Sequence, residues 1–144
     1  LAKAPDSSRK LPLFIAEKDE KKLYVAPIRG KGLWDAIWAY VSMDENMTIQ
    51  GIYFDHKAET PGLGANIKQR FFMDDFIGEA LLDSNGNFKG VNVSKTNLDP
   101  KNNDKYDNEV DAIAGSTITG DGVTAMIRSD LSLYQSYFNK IKNN

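Results

Sequence analysis

The run "AIWAYVSMDENMTIQGIYF", Ala36 to Phe54, decides how this chain folds. Its first part allows two readings. Leu33, Ile37 and Tyr40 recur at helical spacing. Strict alternation instead puts Ile37, Ala39, Val41 and Met43 on one face and Trp38 and Tyr40 on the other, as in a half-buried strand. The downstream residues favour the strand. Asp44 to Met47 is a polar break, and Thr48 to Phe54 is a second run rich in β-branched and aromatic residues. The spacing predicts a hairpin.

Working outward from it, "LPLFIAE" (11–17) and "KKLYVAPIR" (21–29) are further β-prone runs. Downstream, "TPGLG", Thr60 to Gly64, is a turn in which proline is followed by two glycines. "ANIKQRFFMDDFIG" (65–78) places Ile67, Phe71, Phe72 and Phe76 at helical spacing and predicts a short helix. "EALLDSNGNFKGVNVSK" (79–95) predicts another hairpin around Asn85-Gly86, a tight-turn signal. "TNLDPKNNDKYDNEV" (96–110) is polar and without period, and reads as a loop. From about Gly120, a stripe of Val123, Met126, Ile127, Leu131, Tyr134, Phe138 and Ile141 predicts a helix of several turns with one buried face. The expected class is α+β: a curved, half-barrel-like antiparallel sheet with a short central helix and a long C-terminal helix.

Composition narrows the function. The 144 residues suit one domain, and 41% hydrophobic residues suffice for a core. A formal net charge of −2 lacks the basic excess of a nucleic-acid-binding surface. Without cysteine, thiolate zinc sites, iron–sulfur clusters and cysteine nucleophiles are excluded. No apolar run reaches the roughly 20 residues of a membrane-spanning helix. Residues 1–10 read as a flexible lead-in and 11–144 as a single domain. No Gly-x-Gly-x-x-Gly or P-loop is present.

Few residues could carry chemistry alone. The single histidine, His56, has no serine elbow to serve. Asp99, Asp104, Asp107, Glu109 and Asp111 do not match a calcium-loop ladder and read as a solvated acidic loop. No catalytic or metal-ligating residue is expected. Trp34 and Trp38 could stack on a planar ligand or belong to the core. Thr60 to Gly64 could let backbone approach a flat ligand, or simply enter a helix. "VDAIAGSTITGDGV", Val110 to Val123, gathers Ser116, Thr117 and Thr119 among glycines where a helix begins. Thr119 or Asp121 would serve as its cap. A nucleophile there would need a base that the local sequence lacks. A phosphate group fits better, because a helix start offers free N–H groups and partial positive charge.

Within that stretch "DAIAGSTIT" resembles the flavinylation motif of the FMN-binding domain in the C subunit of sodium-translocating NADH:quinone oxidoreductase, and in the related G subunit of the Rnf electron-transport complex. The family pattern runs Asp, two variable residues, Ser or Thr, Gly, Ala, Thr. Asp111, Gly115 and Thr117 match it, while Ala114 and Ser116 depart from it. "RGKGLWDAI" (29–37) and "ETPGLG" (59–64) resemble two further segments of the same family, in the same order. The first favours the sodium-pump subunit over its Rnf relative.

The resemblance implies a flavoprotein that carries electrons in a membrane-bound, ion-translocating complex between NADH and ubiquinone. FMN would be covalently joined to Thr117 by a phosphoester. Gly115, Ser116, Thr117 and Thr119 would hold its phosphate end. Glu59, Thr60, Leu63 and Gly64 would line the flavin on one side, and Leu33 and Trp34 would form the other wall. The implied partners are the other subunits, a flavin transferase, and the membrane through an N-terminal helix preceding Leu1. The implied location is the periplasmic side of the bacterial inner membrane. A recombinant sample made without the transferase would lack FMN. A flavin-free binding or assembly module of the same fold is the alternative.

Overall fold

The structure, a computed structural model, describes residues 12–95, 103–105, 107–113 and 116–142. Four strands form one antiparallel sheet in sequence order: β1 (Phe14–Lys18), β2 (Lys21–Lys31), β3 (Ala36–Met43) and β4 (Ile49–His56). β1 turns into β2 through Asp19 and Glu20, both with positive φ, the twist that a two-residue hairpin loop requires. The β3–β4 hairpin forms as the alternation predicts, with Ala39 opposite Phe54 and Tyr40 opposite Tyr53. Its polar break closes on Asp44, whose Oδ1 accepts from Asn46 N and Thr48 N.

Ile37, Ala39, Val41 and Met43 are buried, along with Tyr24, Ala26 and Ile28 of β2 and Phe54 of β4. Two helical segments cover this face. The C-terminal one starts as α2 (Thr117–Met126), passes through a π turn (Ile127–Leu131) and a 3-10 turn (Ser132–Tyr134), and ends as α3 (Gln135–Lys142). Val123, Met126, Ile127, Leu131, Tyr134 and Phe138 are all buried, so the expected stripe is the packed one. Tyr24 meets Phe138 edge-on at 5.1 Å between ring centroids, tying α3 to β2.

The second segment departs from the predicted single helix. Residues 64–76 divide into a 3-10 helix (Gly64–Lys68), one α turn, α1 (Arg70–Met73), and a 3-10 turn (Asp74–Phe76). Extended Gln69, at φ −78° and ψ 144°, breaks the run. Ile67, Phe72 and Phe76 are buried, but Phe71 faces out, 58% exposed. Phe54, Phe72 and Phe76 meet at tilted and edge-on angles, 5.1–5.4 Å between centroids, and pin the segment to β4.

Two more expectations need correction. The hairpin around Asn85-Gly86 shrinks to a turn capped by Asp83 and one bridge, Leu82 to Phe88. Its far arm, β5 (Asn92–Val93), instead pairs in parallel with β6 (Glu109–Val110), residues expected in a loop. Asn108 makes this possible. It is buried and at φ +57°; its side chain donates to the carbonyls of Ala80 (2.6 Å) and Gly90 (3.2 Å), and its own carbonyl accepts from Asn92 N (2.8 Å).

Candidate functional site

Antiparallel pairing brings the exit of β2, the entry of β3 and the exit of β4 to one end of the sheet. The chain turns there twice. Gly32 to Asp35 closes a tight turn, with Gly32 N donating to Asp35 O at 2.9 Å. After β4, Leu63 N and Ala65 N both donate to Thr60 O, at 3.0 and 3.1 Å, rolling Thr60 to Ala65 into a compact bend. α2 begins at the same end and lies very close to β2. A Cβ at Gly122 would collide with the Lys31 carbonyl, so only glycine permits this approach.

Between these three segments lies a cavity of about 320 Å³, lined by Leu33, Trp34, Thr60, Leu63, Gly64 and Ser116 to Thr119. That is at the lower end of the ~300–1,000 Å³ usual for small-molecule sites. Its rim is apolar: Leu33, Trp34, Leu63 and Ile118 are each 43–64% exposed. Trp34 Nε1 donates to Thr60 Oγ1 at 3.2 Å, bridging the two loops. Ile118 joins the lining although neither periodicity nor motif singles it out. The one signal for it in the sequence is that it is apolar yet off the buried stripe of its helix. Trp38 is on the sheet face opposite Ile37 and takes no part in the lining.

Glu59 lies behind the wall. It is only 4% exposed. Its Oε1 accepts from Leu33 N at 2.8 Å and from the Thr119 hydroxyl at 2.7 Å, and its Oε2 accepts from Trp34 N at 2.9 Å. Burial pushes the carboxyl up, but the hydrogen bonds from Thr119, Trp34, Leu33 and Asp35 outweigh it and hold it below the ordinary 4.5. Glu59 N in turn donates to His56 Nδ1 at 3.2 Å, which gives the lone histidine a structural partner.

The start of α2 differs from expectation. The helix begins at Thr117 rather than about Gly120, and its N-cap, Ser116, makes no side-chain capping bond. Thr119 does not cap the helix either, because its hydroxyl is given to Glu59. Ser116 and Thr119 are buried while Thr117 is exposed on the cavity wall. The first N–H groups of an α-helix have no partner within it, so this end suits an anion. Gly115 and Ala114 of the motif, and Asp99 of the acidic run, lie outside the described residues. Among the described residues, no cluster of three or more histidine, aspartate or glutamate side chains could hold a metal ion. No described helix is long and apolar enough to cross a membrane.

Comparison with known proteins bears on this geometry. A family described as FMN-binding domain matches residues 32–132. The C subunit of the Na⁺-translocating NADH-quinone reductase of Pseudomonas aeruginosa is 30% identical over 117 residues, covering 80% of this chain and 44% of that protein. Its Yersinia pestis counterpart is 37% identical over 101 residues, covering 69% and 36%. The chain thus spans less than half the length of these two relatives. Among solved structures, the C subunit of the same reductase from Parabacteroides distasonis superposes with a TM-score of 0.80 at 38% identity, covering 92% of this chain and 64% of that one. NqrC of Shewanella oneidensis gives 0.74 at 29%, covering 93% and 62%.

Proposed function

We propose, from the premise that this chain belongs to the FMN-binding domain family, that it is the flavin-carrying part of an electron-transfer subunit in a Na⁺-translocating NADH:quinone reductase. One observation carries the reading. Three segments far apart in sequence close on one cavity, with an exposed threonine on its wall at a helix start. The residues suit FMN in each of its parts. Trp34, Leu33 and Leu63 offer apolar surface to a flat ring system. The start of α2, where the first N–H groups have no partner within the helix, suits a phosphate.

Thr117 is the hydroxyl for a covalent link. Ser116 is buried, and Thr119 is both buried and committed to Glu59. Of the three, only Thr117 is an exposed residue on the cavity wall. Its oxygen would form the bond to the flavin's phosphorus as the donor nucleotide's bond to its leaving group breaks and the hydroxyl proton is lost, with no change of oxidation state. A flavin transferase would supply the donor. FMN, once bound, takes up and passes on electrons. The protein's own part is to hold it, orient it and shield one side from water. No side chain here needs to act as acid or base. We take residues 11–144 as the FMN domain and 1–10 as its lead-in. The remaining partners are the other subunits of the complex and a membrane anchor before Leu1, with the domain on the periplasmic side.

The test is co-expression with a flavin transferase, then fluorescence after denaturation and peptide mass spectrometry. The wild-type chain is expected to keep yellow flavin on Thr117. Thr117→Ala should lose it entirely, and Ser116→Ala should retain it. Flavin on Thr119, or undiminished labelling of Thr117→Ala, would refute the assignment. A wild-type chain that stays colourless would point to a flavin-free module of the same fold.

A further inference from the structure

We propose that Glu59 is a positioning residue, whose carboxylate assembles the cavity before any ligand arrives by holding the Leu33–Trp34 turn against the start of α2. This rests on the FMN reading above for the identity of the ligand, but not for the geometry. A buried carboxylate is costly unless its acceptor sites are filled. Here one oxygen takes the Leu33 N–H and the Thr119 hydroxyl, and the other takes the Trp34 N–H. The donors come from two elements far apart in the chain, 26 residues before Glu59 and 60 after it.

The surroundings are shaped to this carboxylate. A Cβ at Gly32 would strike Glu59 Oε1, and one at Gly64 would strike the Thr119 hydroxyl. Glutamine cannot substitute. It has one accepting oxygen and one NH₂ group, so either orientation sets its donors against the N–H of Leu33 or of Trp34. Such a mispairing leaves buried donors unsatisfied. Glu59 itself does not line the cavity, so its effect on a ligand must pass through the walls it fixes.

The experiment uses the ¹⁵N-labelled chain without flavin, and in parallel the chain co-expressed with a flavin transferase. In the wild type, the amide protons of Leu33 and Trp34 should shift together with one midpoint below 4.5, and Glu59→Gln should abolish this titration. Flavin attached to Thr117 should fall at least tenfold in Glu59→Gln, assayed well below its melting temperature. Undiminished labelling overturns the proposal. Should Glu59→Gln fail to fold, the wild-type titration decides: amides that do not move, or move with separate midpoints, overturn it. A wild-type chain that titrates as expected but takes no flavin refutes the FMN reading and leaves the positioning role of Glu59 standing.

Discussion

The two ends of this sheet are built on opposite principles. Over most of its length it is held by many apolar side chains. Phe54, Phe72, Phe76, Met43, Met47 and Ile127 are all buried and belong to one apolar cluster. At the cavity end Leu33, Trp34, Leu63 and Ile118 face outward instead. There one buried carboxylate joins the Leu33–Trp34 turn to the start of α2, glycines let the segments touch, and Trp34 is further tied to Thr60. The core is redundant and would survive small errors with its architecture intact. The cavity end has less reserve, because removing the Glu59 carboxylate leaves the N–H groups of Leu33 and Trp34 without that acceptor. A protein that must present apolar surface to a ligand cannot also use that surface to hold itself together.

Three changes probe this contrast, beginning with the largest effect. Phe54→Ala removes the centre of a buried aromatic trio and should cost about 3–5 kcal/mol. Urea denaturation should show the loss as a lower midpoint. The Leu33 and Trp34 amide signals should keep their positions as long as the chain is folded. A shift of those signals would mean that the two ends are coupled and the contrast is wrong.

Gly122→Ala comes next. Helix propensity alone would make alanine better than glycine by about 1 kcal/mol. Contact with the Lys31 carbonyl opposes this, and overpacking of this kind costs about 1–3 kcal/mol. Backbone cannot step aside as a flexible side chain can, so net destabilisation and weaker flavin attachment are expected. A more stable variant with normal attachment would show that α2 and β2 have room to part.

Acid gives the smallest effect. The Glu59 carboxyl titrates lower in the folded chain than its ordinary 4.5. Between the two values the unfolded chain binds more protons, so the stability from Glu59 is present above 4.5 and is lost as pH falls through the folded value. The stability gap between wild type and Glu59→Gln should therefore narrow in acid. A gap that is constant from pH 7 to pH 3 would assign the mutational cost to packing alone.

Local pattern made much of the fold legible. Ile37, Ala39, Val41 and Met43 alternate because a strand has a period of two, and Val123 to Phe138 repeat because a helix has one near 3.6. What could not be read was set by distant contacts. Gln69 breaks residues 64–76 where Phe72 and Phe76 turn to meet Phe54, so Phe71 loses its expected place in the core. Val93 pairs with Val110 through only a two-residue ladder, and Asn108 supports it from a backbone conformation that no pattern announces. At the site, the three family segments pointed to Leu33, Trp34, Thr60, Leu63 and Thr117, which the fold gathers around one cavity, but not to Ile118, and they put Glu59 on a wall that it stands behind. The task of Thr119 was not legible, because a capping rule sees only the neighbouring backbone and its partner is Glu59.

That bond between Thr119 and Glu59 spans 60 residues. Closing so long a loop is entropically slow compared with forming a local hairpin or a helical turn. The cavity end is therefore complete only when the start of α2 has come back to the loop after β4, a contact that no local hairpin or helical turn supplies. An enzyme that reads the finished arrangement around Thr117 would pass over nascent and misfolded chains. Attachment of the cofactor would then serve as an inspection step, marking only those copies whose two halves have met.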